Sequence, residues 1–130
     1  MGASHHLFVC TSCRQPGEGK KHRDMRSGEA LFRNLSSRYA KWARREDFAI
    51  VPYECLSACK RACGVAMRAP NKFTYVFGDV LPNETESAVI ECATLYRSKP
   101  TGFMPRDERP HVLRASILSR VPPLEGDDTL

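Results

Sequence analysis

Phe48-Ala49-Ile50-Val51-Pro52-Tyr53-Glu54-Cys55 is the stretch on which the architecture of this chain turns. Its four leading apolar residues read as a strand, Pro52 marks the exit from it, and a cysteine follows at once. Upstream, Leu31, Leu35, Tyr39 and Trp42 recur at spacings of four, four and three, which predicts a helix with one apolar face. Ser27 can cap that helix, and Glu29 suits its first turn. Further back, Leu7-Phe8-Val9 is a second short apolar run, and it ends at Cys10. Strand, helix and strand in that order form a βαβ unit, whose crossover requires parallel strands. The C-terminal ends of both strands are therefore expected at one edge of the sheet. Both cysteine groups, Cys10-Thr11-Ser12-Cys13 and Cys55-Leu56-Ser57-Ala58-Cys59, follow those ends directly.

Downstream, Val65 to Ala69 and Phe73 to Phe77 are strand-like, and Pro70-Asn71 supplies turn chemistry between them, so a hairpin is expected. Asn83 with Glu86 three residues later is a capping pattern, opening a helix whose apolar face is Val89, Cys92, Ala93 and Tyr96. Cys92 is read as a core residue, because a buried thiol behaves as a small hydrophobe. Residues 1–97 thus form one α/β domain that carries the metal or cluster site. Residues 98–130, interrupted by Pro100, Pro105, Pro110, Pro122 and Pro123, read as an irregular tail with one short helix over His111 to Arg120.

Five of the six cysteines lie in tight groups, since Cys63 stands four residues beyond Cys59. Thiolates are soft ligands for zinc, copper(I) and iron–sulfur centres, and four converging donors complete such a site. No run has the roughly 18 apolar residues of a membrane span, and no secretory leader is apparent, so a cytoplasmic protein is expected. In that reducing compartment clustered cysteines read as metal-binding or redox-active groups rather than structural bridges. The net charge of +5 is uneven: residues 1 to 72 hold 14 Lys or Arg against 6 acids, and the remainder 6 against 9. Lys20, Lys21, Arg23 and Arg26 follow the first cysteine pair, and Lys60, Arg61, Arg68 and Lys72 flank the second group in sequence. They are expected to stabilise thiolates and to steer an acidic partner, or else to form a solvated basic face. Nucleic-acid binding is not expected, for no basic recognition helix or aromatic-rich basic strand accompanies the charge. His5, His6, His22 and His111 are scattered, with only His22 placed as a nitrogen substitute near the first pair. No phosphate loop or nucleophile elbow is present, and the chain is not read as an enzyme.

The order strand, cysteine loop, helix, strand, C-x3-C loop, hairpin, helix resembles the thioredoxin-like [2Fe-2S] ferredoxins. Cys55-Leu56-Ser57-Ala58-Cys59 matches their second ligand pair, and Gly64-Val65-Ala66-Met67 with Phe73-Thr74-Tyr75-Val76-Phe77-Gly78 is similar to their hairpin. The whole chain, with Cys-Leu-Ser-Ala-Cys-Lys-Arg-Ala-Cys-Gly and Arg109-Pro110, also resembles a bacterial family of unknown function described as predicted small metal-binding proteins. The resemblance implies a thioredoxin-like fold and a [2Fe-2S] cluster on Cys10, Cys13, Cys55 and Cys59. Cys63, four residues beyond Cys59, is a spare thiol able to replace Cys10, Cys13 or Cys55. It further implies electron transfer or sensing with a redox or metal-handling protein partner, without nucleic acid or membrane, and with a homodimer allowed. Two other classes use the same residues: a structural Zn2+ module in metal handling, and a thiol–disulfide oxidoreductase built on Cys10-Thr11-Ser12-Cys13.

Overall fold

The structure is a computed structural model that describes residues 4–12, 27–42, 46–54, 56 and 61–123. Strand β1 (His5–Cys10) is followed by helix α1 (Ser27–Tyr39) and by strand β2 (Phe48–Tyr53). β1 and β2 pair in parallel, with Leu7 opposite Ile50 and Cys10 opposite Tyr53, as the crossover rule requires. Strands β3 (Val65–Arg68) and β4 (Thr74–Phe77) form the hairpin, and helix α2 (Glu86–Ser98) follows. β3 lies antiparallel beside β1, and β4 beside β3, giving the sheet order β2-β1-β3-β4-β5.

Alternation along the strands sends Leu7, Val9, Val65, Met67, Tyr75 and Phe77 to one face, where all are fully buried. Leu31 and Leu35 of α1 and Val89, Cys92, Ala93 and Tyr96 of α2 close the same core. These are the faces the helical periodicity marks, and Trp42, just past α1, joins them with its indole N–H donating to Thr94 Oγ1 at 3.0 Å. The opposite face of the sheet carries His6, Phe8, Thr74 and Val76, all partly exposed. No helix among the described residues is long and apolar enough to cross a membrane.

The C-terminal segment departs from expectation. The helix expected over His111 to Arg120 is replaced by a single 3-10 turn, His111–Leu113, and by a fifth strand, β5 (Ile117–Val121), antiparallel to β4. A helix there would leave the outer N–H and C=O groups of β4 without sheet partners, whereas the strand satisfies them. Two prolines at 122 and 123 then end it. The link from α2 is tied to the core by Met104, whose backbone N–H donates to Tyr75 Oη at 2.8 Å. The capping pattern at α2 is also shifted. Glu86 Oε2 accepts the Asn83 N–H at 2.7 Å as expected of a capping box, but the residue preceding the helix is Thr85, whose hydroxyl bonds Leu81 O instead. Asn34 of α1 donates to the same carboxylate oxygen at 2.7 Å, which accounts for a nearly buried Glu86.

Lys72 fastens β1 to the end of α2. Its ammonium donates to the Tyr96 and Arg97 carbonyls at 3.1 and 3.0 Å, in the last turn of α2 where the helix has no further N–H groups of its own to offer, and to His5 Nε2 at 2.9 Å. His5 must be neutral at Nε2 to accept that bond. Burial, and then the positive charge of Lys72, hold its pKa below the ordinary 6.5. The unfolded chain therefore binds the proton more readily, and stability rises with pH between the two values. The contribution is complete above about pH 6.5 and is lost as pH falls toward the folded value. Urea unfolding at about pH 5 and about pH 7.5 should show this loss in the native chain and a smaller one in His5→Gln. Equal pH dependence in both would remove His5 as its source.

Candidate metal centre

Cys10 is the last residue of β1 and is fully buried. Ladder bonds fix it on both sides. Its N–H donates to Gly64 O at 3.0 Å, and the next N–H, of Thr11, donates to Tyr53 O at 2.9 Å. The Thr11 hydroxyl reaches the same carbonyl at 3.2 Å. With these bonds in place the Cys10 Sγ lies 3.9 Å from the carbonyl oxygen of Glu54, the residue before Cys55, and 3.7 Å from Ser12 Oγ. Cys10 thus sits between two chain segments, one leading into Cys55 and the other leading out of Cys63.

The outgoing segment is held by the turn after β4. Cys63 and Val80 exchange backbone hydrogen bonds at 3.2 and 3.1 Å, and Asp79 N–H donates to Arg61 O at 2.6 Å. The Arg61 guanidinium pairs with the Asp79 carboxylate, Nε to Oδ2 at 2.7 Å. Gly78 permits this approach, for a Cβ there would stand 2.7 Å from Arg61 O. Cys63 is fully buried, and the peptide bond that precedes it is cis.

Beneath the site, α1 begins directly on the end of β1. A Cβ on Gly28 would lie 2.0 Å from the Cys10 carbonyl oxygen and 3.0 Å from its carbon. Only glycine lets the first turn of α1 touch the backbone of Cys10. Periodicity does not reveal such a residue, because the requirement comes from a neighbour distant in sequence.

Of the expected ligands, the structure describes Cys10 and Cys63 and brings their segments together. Cys13, Cys55 and Cys59, as well as His22, lie outside the described residues. Among the described residues no group of three His, Cys, Asp or Glu side chains is placed to hold a metal ion. Cys92 lies apart in the core, fully buried, with its thiol 3.7 Å from Met104 Sδ. Burial pushes its pKa up to about 12, so it stays a neutral thiol and a poor ligand. The basic flank needs correction at two positions. Arg68 pairs in register with His6, and Lys72 sits against the end of α2, so neither adjoins Cys10. The four residues of β3 carry the chain to the other end of the sheet, about 13 Å along the strands. Arg61 remains beside the cysteine segment.

This architecture is shared with solved structures. The chain superposes on a thioredoxin-like [2Fe-2S] ferredoxin from Aquifex aeolicus with a TM-score of 0.52 and 20% identity, over 79% of this chain and 100% of that one. A wild-type form of that ferredoxin gives 0.56 and 20%, over 91% and 99%. A cysteine-to-serine variant gives 0.56 and 21%, over 88% and 98%. The fold is accordingly thioredoxin-like, as the order of elements predicts. No curated protein matches the chain in sequence. Residues 7–123 match the family described as proteins of unknown function (DUF1636), and the chain belongs to that family.

Proposed function

We propose that this is a small metal-binding protein of ferredoxin type, with a [2Fe-2S] cluster held by Cys10, Cys13, Cys55 and Cys59. Cys63 is a fifth thiol able to stand in for Cys10, Cys13 or Cys55. The observation that carries the reading is the position of the Cys10 thiol, against the carbonyl next to Cys55 and one ladder bond from the residue after Cys63. In the sequence Cys55 follows by two residues on Tyr53, the register partner of Cys10. The thioredoxin-like fold, which the named [2Fe-2S] ferredoxin shares, supports the same reading. The donor chemistry fits, since four cysteine thiolates, soft ligands that follow the ends of β1 and β2 in the sequence, suit an iron–sulfur cluster.

When bound, the cluster supplies reversible one-electron chemistry. The protein's part is to anchor the ligand segments, at Gly64, at Val80 and through the Arg61–Asp79 pair. The role is electron transfer or sensing with a redox or metal-handling partner in the cytoplasm, rather than turnover of a substrate. Anaerobic purification, iron and sulfide assay, and electron paramagnetic resonance after reduction test it. About two irons and two sulfides per chain, with a signal from the reduced cluster, are expected. A colourless protein after reconstitution, or zinc as the sole metal, would overturn it.

A further inference from the structure

The partly exposed face of the sheet, the one that carries His6 and Phe8, holds a groove of about 660 Å3 lined by none of the proposed cluster ligands. Its floor is β1, where the His6 and Phe8 rings stack 5.7 Å apart and 15° from parallel. Pro70 of the hairpin turn forms one wall and Val121 with the following prolines another, while Arg68 and Thr74 add polar groups. Arg68 is exposed and, among the described residues, has neither an ion pair nor a hydrogen-bond acceptor. Among the described residues no carboxylate lines the groove, whereas His6 and Arg68 do.

We propose that this groove is a binding site for a small organic acid with a flat, apolar body, whose carboxylate pairs with Arg68. Three observations select that class. The volume falls within the range of small-molecule sites, about 300–1,000 Å3. Paired rings and proline walls make a slot for a planar apolar group, which a bare inorganic anion would leave unfilled. The guanidinium fork matches a carboxylate in two parallel hydrogen bonds, and a neutral ligand would leave it unused. A second copy of the chain fits less well, because it would set Arg68 and His6 against a face on which no described groove residue is acidic. Its charged end, His6 with Arg68, lies four residues along β1 from Cys10, and neither residue is a proposed ligand, so the site stands or falls independently of the cluster.

The test is titration of the full-length protein with naphthoate and, separately, with the uncharged naphthylmethanol, followed by amide chemical shifts. Saturable shifts confined to the neighbourhood of His6, Phe8, Arg68, Thr74 and Val121 are expected, with naphthoate binding about tenfold more tightly than the alcohol. Arg68→Gln, at an exposed position whose side chain holds no other element in place, should abolish that preference and leave metal content unchanged. Shifts that are absent or scattered, equal affinity for the two probes, or a preference that survives Arg68→Gln would each refute the site.

Discussion

Gly28→Ala is expected to destabilise the fold by about 3 kcal/mol or more and to lower metal retention with it. The added methyl group would meet Cys10 O at 2.0 Å, Cys10 C at 3.0 Å and Thr11 C at 3.1 Å, and every one of these atoms is backbone. No rotamer change relieves such a clash. Either α1 lifts from the sheet, opening the core around Leu31 and Leu35, or the end of β1 moves and takes the Cys10 thiol away from Glu54. In an ordinary helix the same substitution is favourable by up to about 1 kcal/mol, so the sign of the effect reports the close approach. Urea denaturation of the two proteins measures it, with exposed Ser37→Ala as the control. A Gly28→Ala protein as stable as the native chain would show that helix and strand do not meet there.

Cys59→Ser should abolish metal retention, whereas Cys92→Ser should keep the full metal content and cost about 1–3 kcal/mol of stability, since it places a hydroxyl in an apolar core. The contrast rests on position: one thiol follows in sequence the strand end that pairs with Cys10, and the other lies fully buried against Met104. Cys63→Ser separates a spare thiol from an obligatory one. As a spare, Cys63 can be replaced with metal content preserved in the intact chain, and its loss becomes visible only when Cys10, Cys13 or Cys55 is also removed. Iron and sulfide per chain give the measurement. Equal metal loss in Cys59→Ser and Cys92→Ser would sink this assignment of roles.

The βαβ core is legible in the sequence because its signals are local and agree. Leu7 to Val9 and Phe48 to Val51 are short apolar runs, the stripe from Leu31 to Trp42 has a helical period, and handedness and strand direction then follow from chain connectivity. The fifth strand escapes such a reading. Ile117-Leu118-Ser119-Arg120-Val121 has neither clean alternation nor strong helical spacing, and it becomes a strand because β4 offers an open edge. Proximity in sequence also misplaces Arg68 and Lys72. A four-residue strand separates them from Cys63, and in extended chain that is enough to move them to the far end of the sheet. Gly28, the Arg61–Asp79 pair and the Lys72 bridge are tertiary features, visible only once distant segments are side by side. The convergence of the cysteine groups is legible as far as topology reaches, to Cys10, Tyr53 and Glu54.

The closure of the sheet by β5 bears on how the polypeptide can be divided. A fragment trimmed at residue 97 would keep α1, all but the last residue of α2 and four strands, yet β4 would present a naked rim of amide and carbonyl groups to solvent. Such rims recruit strands from other molecules, and so the fragment would trade solubility for intermolecular pairing. Ile117–Val121 therefore acts as a selvage, the finished border that keeps the fabric of the sheet from catching on its neighbours.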